Sequence, residues 1–311
     1  MAWVVRKHEG SLSKHGCYPG AREIREHIRN GVIILDKPPG PTCNDVDKWV
    51  RDILQLKKVS HGGTLDPRVS GILPLALENT TKLMPILLTR TKEYVGLISL
   101  HELRDESKIK HVFRNFIGKV KQLPPLKSAV ARREREREIY DLEILEIDER
   151  KILFRIETEA GFYVRRFAED VGKKLGCKAH LQELRRIRSG RFSEDKSKTL
   201  HDLVDALDDE NNLREVVLPM EIAVEDIGKV IISDNAVDNI CNGAPLAIGG
   251  IVRYEDDVKK DRLVAIFSLK GELVAIGKSL INFKDVENMN KGLAVKTDRV
   301  LMKKGTYASS L

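Results

Sequence analysis

The sequence predicts an α+β mixed-sheet domain followed by a small all-β domain, and three observations carry that prediction. Helix-like and strand-like stretches interleave over the first two thirds without a regular strand–helix repeat, which favours a mixed sheet. Beyond about residue 225 the pattern changes to short apolar runs separated by turns. Between the two lies an acidic segment, LHDLVDALDDENNLREVVLP. The 311 residues suit two domains of ordinary size, and a hydrophobic content of 41 % supports sizeable cores and excludes a mostly disordered chain.

Taken in order, Gly31–Asp36 (GVIILD) is an apolar strand closed by Lys-Pro-Pro-Gly. Asp45–Leu56 carries Val46, Val50, Ile53 and Leu54 at helical spacing. Glu93–His101 (EYVGLISLH) reads as a strand, and 144–159 as a hairpin turning at DERK. Val164–Leu175 is an amphipathic helix closed by Gly176, the residue type that tolerates a left-handed cap. Leu200, Leu203 and Leu207 predict a helix before a DDENN turn. The runs VIIS, APLAI, GIVRY, LVAIFSL, ELVAIGKSL and GLAVKTDRVLM are the strands of the second, barrel-like domain.

Charge narrows the function. The net +7 divides unevenly: residues 1–193 hold 38 basic and 26 acidic side chains, residues 194–224 hold 3 and 9, and residues 225–311 hold 13 and 12. The basic surplus therefore belongs to the first part, and an acidic partner such as nucleic acid fits it. Aromatics at 5 % argue against recognition by stacking of single-stranded bases. No apolar run reaches the ~18 residues of a membrane span, and MAWVVRKHEG holds no apolar signal core. The expectation is a soluble, cytoplasmic chain. Cys17, Cys43, Cys177 and Cys241 are scattered, with no zinc spacing, and both common glycine-rich nucleotide loops are missing. Any chemistry is expected to run without metal, redox cofactor or nucleotide.

Three motifs stand out. In His61-Gly-Gly-Thr-Leu-Asp-Pro-Arg-Val-Ser-Gly71, Asp66 either caps a helix that opens at Pro67 or serves as a lone carboxylate on an uncrowded loop. Such a carboxylate acts as nucleophile or general base without a metal, and nothing local separates the two roles. In Ala131–Glu138 the charge alternates in sign. As a strand it sets Arg133, Arg135 and Arg137 on one face, suited to an RNA backbone; as a helix it is a mixed, solvated surface. In Gly161-Phe-Tyr-Val-Arg-Arg166, Arg165 either lies in solvent or reaches a buried carboxylate and keeps it ionised.

Together these motifs resemble one family. HGGTLDPRVSGILP resembles the catalytic signature of the TruB/dyskerin class of pseudouridine synthases. GVIILDKPPGPT resembles its KPxG segment, KEYVGLISLH its tyrosine strand, GFYVRRFAEDVG its arginine motif and HLQELRRIRSGRF its leucine-bearing segment. Order and spacing agree over roughly residues 17–220. The last part, with SDNAVDNICNGAPLAIGGI and GLAVKTDRVLM, resembles a PUA domain, in keeping with a pseudo-barrel. Length, the GCYPGAREIREHIRNG segment and the absence of lysine-rich tails place the chain nearest the archaeal dyskerin branch. The implied division is an N-terminal extension over 1–30, a catalytic domain over 31–224 with its acidic connector at 194–224, and a PUA domain over 225–311.

The resemblance implies roles by position. Asp66 is the catalytic aspartate, Tyr94 packs on the target base and assists proton removal, and Arg165 pairs with Asp66. Leu184 lines the base pocket, His61 helps hold the nucleotide out of its helix, and Lys37 supports the pocket. The implied reaction isomerises uridine to pseudouridine, with no metal and no cofactor. The implied setting is an H/ACA ribonucleoprotein with a guide RNA, rRNA and tRNA substrates, small Nop-type and Gar-type proteins and a kink-turn-binding ribosomal-type protein. Activity on the tRNA TΨC loop without a guide is implied as well. Departures from the family pattern are Thr42-Cys43-Asn44 for Thr-Ser-His, Phe162 for Thr, and Ile187 and Arg191 where Thr and Pro are common. None falls on Asp66, Tyr94 or Arg165. The competing readings are a non-catalytic RNA-binding or ribosome-assembly protein, and a basic α+β domain in which Asp66 only caps a helix.

Overall fold

A computed structural model describes residues 2–11, 14–124 and 133–307. The chain divides into two compact units, one formed by Ile33–Leu75 and Met84–Asp209, the other by Met1–Val32, Ala76–Leu83 and Glu210–Leu311. Each unit is built on a mixed sheet, and the class is α+β.

In the first unit the strands lie in the order Gly31–Lys37, Ser70–Leu77, Ala179–Ser189, Lys92–Leu100, Lys151–Thr158, Arg135–Asp148 and Gly118–Gln122. Ser70–Leu77 runs parallel to Ala179–Ser189, while Lys92–Leu100 runs antiparallel to both of its neighbours. The alternation of Lys151–Thr158 buries Ile152, Phe154, Ile156 and Thr158 on one face. Helix Val164–Leu175 covers that face with Phe167, whose ring meets Phe113, Phe116, Phe154 and Phe162 at centroid distances of 5.0 to 6.3 Å. Five of the chain's eight phenylalanines are thus gathered in one core. Gly176 ends the helix at φ 72°, as its position predicts.

Local chemistry sets the helix Cys43–Ile53 of the same unit. Thr42 Oγ1 accepts from the Asp45 amide at 3.1 Å and Asp45 Oδ2 accepts from the Thr42 amide at 2.9 Å, a reciprocal cap. This helix begins two residues before the expected Asp45, because the cap lies at Thr42. Cys43, Val46 and Val50 form its buried stripe.

Two further expectations need correction. Asp66 caps no helix: residues 67 and 68 form a turn, closed by the Val69 amide donating to the Asp66 carbonyl at 3.0 Å. The DDENN stretch is not a turn throughout. A helix ends at Asp205 and runs into a 3-10 turn over Ala206–Asp208; Asp209 is extended, and the next helix begins at Glu210 and absorbs ENN. In Ala131–Glu138, Ala131 and Arg132 lie outside the described residues. From Arg135 the segment is a strand paired to Gly118–Gln122, so the alternation is a strand signal. Arg137 forms an ion pair with Glu159 at 3.3 Å, and Glu136 one with Lys119 at 2.9 Å.

The second unit orders its strands Trp3–Val5, Ile251–Glu255, Gly228–Ile232, Leu263–Phe267, Leu273–Ser279, Leu293–Val300 and Leu246–Ala247. Gly228–Ile232 runs parallel to Leu263–Phe267. Its core gathers Val230, Val264, Ile266, Val274, Phe283 and Val295. Within residues 225–311, helix Asp234–Cys241 departs from the all-β expectation. Val237, Ile240 and Cys241 at helical spacing pack into that core. No helix among the described residues is long and apolar enough to cross a membrane.

Candidate active site

A cleft of about 800 Å³ opens in the first unit. One wall is the loop Asp66–Ser70, the other the strand stretches Val95–Leu97 and Leu181–Arg185, and Arg165 stands at its edge. Three of the expected site residues, Asp66, Arg165 and Leu184, therefore share one cavity.

Asp66 lies on the turn that precedes strand Ser70–Leu77, and its carboxylate accepts a hydrogen bond from an Arg165 guanidinium nitrogen. Arg165 is there because it occupies the second position of helix Val164–Leu175, whose apolar stripe is anchored in the phenylalanine core. Both side chains are about half exposed, 51 % for Asp66 and 54 % for Arg165, so the carboxylate that Arg165 reaches is not the buried one expected: it sits on a surface turn. A charge-assisted bond of this kind orients a carboxylate while leaving one oxygen open to a reactant.

Lys37 ends strand Gly31–Lys37 and is fully buried. Its Nζ donates to the carbonyl oxygens of Pro38 at 2.8 Å, Pro67 at 3.1 Å and Val69 at 3.0 Å. Two of these acceptors belong to the loop of Asp66, so an ammonium beneath the loop sets its path. Burial pushes the Lys37 ammonium below its ordinary value.

Tyr94 lies on strand Lys92–Leu100, opposite Ile156 and Arg186, and is 8 % exposed. The cleft wall begins one residue further on, at Val95, so Tyr94 adjoins the cavity rather than lining it. His61 is likewise absent from the lining. Its Nδ1 faces Asp47 Oδ2 at 2.7 Å and its Nε2 faces Thr64 Oγ1 at 3.2 Å. A carboxylate only accepts, so the Asp47 contact assigns the proton to Nδ1, and in the neutral ring Nε2 accepts from Thr64.

Sequence reasoning passed over several of these groups. Asp47 orients His61 from helix Cys43–Ile53, fourteen positions away, with no local pattern to announce it. Arg185, on the cleft wall, donates from its terminal nitrogens Nη1 and Nη2 to Asp36 at 3.0 and 2.8 Å and from Nε to Glu194 at 2.7 Å. The hydrogen bonds to Asp36 lead the groups that raise Arg185 above its ordinary value. Arg68 is exposed in the cleft beside Asp66; its position next to Pro67 was the available signal. Among the described residues no cluster of His, Cys, Asp or Glu is arranged to hold a metal ion.

Comparison with known proteins follows the same plan. Residues 51–164 match the TruB family pseudouridylate synthase N-terminal domain and residues 165–225 the tRNA pseudouridylate synthase B C-terminal domain. Residues 228–301 match the PUA domain, and residues 2–47 the DKCLD (NUC011) domain. The probable tRNA pseudouridine synthase B of Archaeoglobus fulgidus is 47 % identical, over 98 % of this chain and 96 % of that protein. Its counterpart in Methanothermobacter thermautotrophicus is 50 % identical, over 94 % and 92 %. Among solved structures, a chain of a Cbf5-Nop10-Gar1 complex superposes with a TM-score of 0.90 at 44 % identity, covering 98 % of this chain and 95 % of that one. A chain of an H/ACA RNP bound to a substrate RNA containing 2'-deoxyuridine superposes with a TM-score of 0.90 at 42 % identity, covering 98 % and 96 %. A likeness of that extent, across both units and the loop that bears Asp66, leaves one conclusion: the chain belongs to the TruB family of pseudouridylate synthases.

Proposed function

We propose that this chain isomerises uridine to pseudouridine in rRNA as the catalytic subunit of a guide-RNA-directed H/ACA ribonucleoprotein. The observation that carries the reading is the meeting of Asp66 and Arg165 at a cleft of about 800 Å³ that Leu184 also lines. The reaction breaks the C1′–N1 bond, turns the uracil, forms a C5–C1′ bond, removes the proton from C5 and returns one to N1. No atom is gained or lost. Asp66 is the reacting carboxylate, Arg165 its orienting partner and Leu184 a wall of the base pocket. Tyr94 stands beside that pocket and assists loss of the C5 proton. Lys37 supports the loop from beneath, and His61 helps keep the nucleotide out of its helix. A target base has to leave its stack, at a cost of a few kcal/mol, and contacts along the rest of the RNA offset it.

The partners follow from the similar solved structures, which are complexes with Nop10 and Gar1 and an assembly with substrate RNA. Small proteins of those two types, a guide RNA and a kink-turn-binding protein complete the assembly in this reading. The functional division is an extension over 1–30, a catalytic domain over 31–224 and an RNA-binding PUA domain over 225–311, in a cytoplasmic enzyme. A second reading, direct action on the tRNA TΨC loop, is favoured by the names of the archaeal relatives.

One reconstitution tests both. The chain is combined with guide RNA and partner proteins, and pseudouridine is read at one guided rRNA position and, without guide, on a tRNA transcript. Guide-dependent product supports the first reading, and product on tRNA alone replaces it with the second. Asp66→Asn is expected to abolish product while RNA affinity stays within about twofold. Product from that variant would remove Asp66 from the chemistry.

A further inference from the structure

The loop between Gly63 and Ile72 carries Asp66, and a single side chain beneath it touches both ends. Arg186 is 1 % exposed. Its Nε donates to the Ile72 carbonyl at 2.6 Å and its Nη2 to the Gly63 carbonyl at 3.0 Å. The planar guanidinium holds these two donors in a fixed relative direction, so the two loop ends are fixed relative to each other.

The Arg186 backbone is equally committed. It pairs with Tyr94 on one side and with Gly71 on the other. Gly71 adopts φ +102°, and a Cβ there would fall 2.2 Å from the Arg186 carbonyl oxygen. The closeness of the two strands at this point therefore depends on glycine. One residue thus contacts the loop of Asp66 at both ends and the strand position of Tyr94.

Arg186 also lies beside a second buried cation. A Cβ on Gly63 would sit 3.6 Å from an Arg186 nitrogen and 3.4 Å from the Lys92 side chain. The acceptors that hold Arg186 are backbone carbonyls rather than carboxylates. A guanidinium buried next to a like charge is expensive compared with an apolar side chain of similar volume. What the arginine provides in return is a rigid two-point clamp.

We infer that Arg186 is a positioning residue for the isomerisation, holding the Asp66 loop at a fixed distance from the strand of Tyr94. The inference rests on the catalytic reading of Asp66. A misplacement of about 1 Å at a reacting group costs on the order of 100-fold in rate, which sets the size of the expected effect.

The test uses the full chain in the reconstituted complex, with single-turnover rates and half-saturation measured for Arg186→Lys and Arg186→Gln. Lysine keeps the charge but replaces the planar fork by a single nitrogen, so the two carbonyls lose their fixed relative direction; glutamine keeps one donor nitrogen and no charge. Both variants are expected to lose about 100-fold in the maximal rate, with half-saturation within about twofold of the parent. Ile109→Ala, a core truncation in the same unit, supplies a control for a general loss of stability. It is expected to lower the melting temperature while leaving the rate at 25 °C unchanged. A parental rate from Arg186→Lys overturns the inference, as does an equal rate loss in Ile109→Ala. Failure of both Arg186 variants to fold also overturns it, assigning the side chain to stability alone. An inactive parent chain under all conditions would instead defeat the catalytic reading itself, so the two failures are distinct.

Discussion

Arg165 and Asp66, ninety-nine positions apart, meet as an ion pair with both side chains about half exposed. Exposed pairs contribute little to stability, roughly 0 to 1 kcal/mol. The pair is better understood as an orienting device, which separates its effect on rate from its effect on folding. Arg165→Met is expected to shift the urea midpoint only slightly while reducing product formation about 100-fold. A large loss of stability with a normal rate would reverse that assignment.

Gly96 lies where Phe154 and Leu184 close on the wall of the cleft. A Cβ at this position would lie 2.8 Å from the Phe154 ring and 3.0 Å from a Leu184 methyl group. The fully buried Phe154 ring has to shift within the core, and the partly exposed Leu184 is pressed toward the cleft it lines. Gly96→Ala should cost about 1–3 kcal/mol from overpacking and weaken binding of the target strand. A titration with RNA carrying an abasic site at the target reports on this. If Gly96→Ala weakens that RNA as much as the uridine-bearing one, the pocket is not what changed.

Lys92 makes stability depend on pH. Its Nζ donates to the carbonyls of Leu87 at 3.1 Å, Leu88 at 3.4 Å and Arg90 at 2.8 Å. Burial, helped by the Arg186 and Arg90 charges, pushes it from 10.5 down to about 7. Between those two values the unfolded chain binds the extra proton, so stability rises with pH across the window and levels off above it. Below about pH 7 both states are protonated and this contribution is constant. Melting curves between pH 7 and 9 should show a positive slope that flattens in Lys92→Met. Equal slopes in the two proteins would remove Lys92 as the cause.

Arg68 stands exposed in the cleft next to Asp66 and is available to a phosphate of the target strand. Loss of one phosphate contact lowers the magnitude of the salt slope of log affinity by about 0.7 to 0.9. Arg68→Ala should show that reduction and weaken RNA binding at low salt, with little change in the melting temperature. An unchanged slope would mean that Arg68 makes no phosphate contact.

Much of the local structure was legible from residue order. The helix Val164–Leu175 with its Gly176 cap, the hairpin turning after Asp148 and the strand Lys92–Leu100 all follow from periodicity and turn chemistry. Where expectation failed, a neighbouring interaction had prevailed. Pro67 suggested a helix start, yet residues 67 and 68 form only a turn, with the carbonyls of Pro67 and Val69 held by Lys37. ENN suggested a turn, yet Leu213 and Val216 bury one face of the segment and make it helical.

The motif around Asp66 announced a candidate carboxylate and, through the resemblance, its chemistry; periodicity announced the alternation of helices and strands. These are properties of near neighbours, and near neighbours are what a linear string displays. The sheet decided the rest. The register that sets Tyr94 opposite Arg186, the reach of Arg165 to Asp66, and the support of His61 by Asp47 all join segments distant in sequence. The clamps of Lys37 and Arg186 are held by backbone carbonyls, which every residue carries, so no pattern of side chains could have singled out their partners.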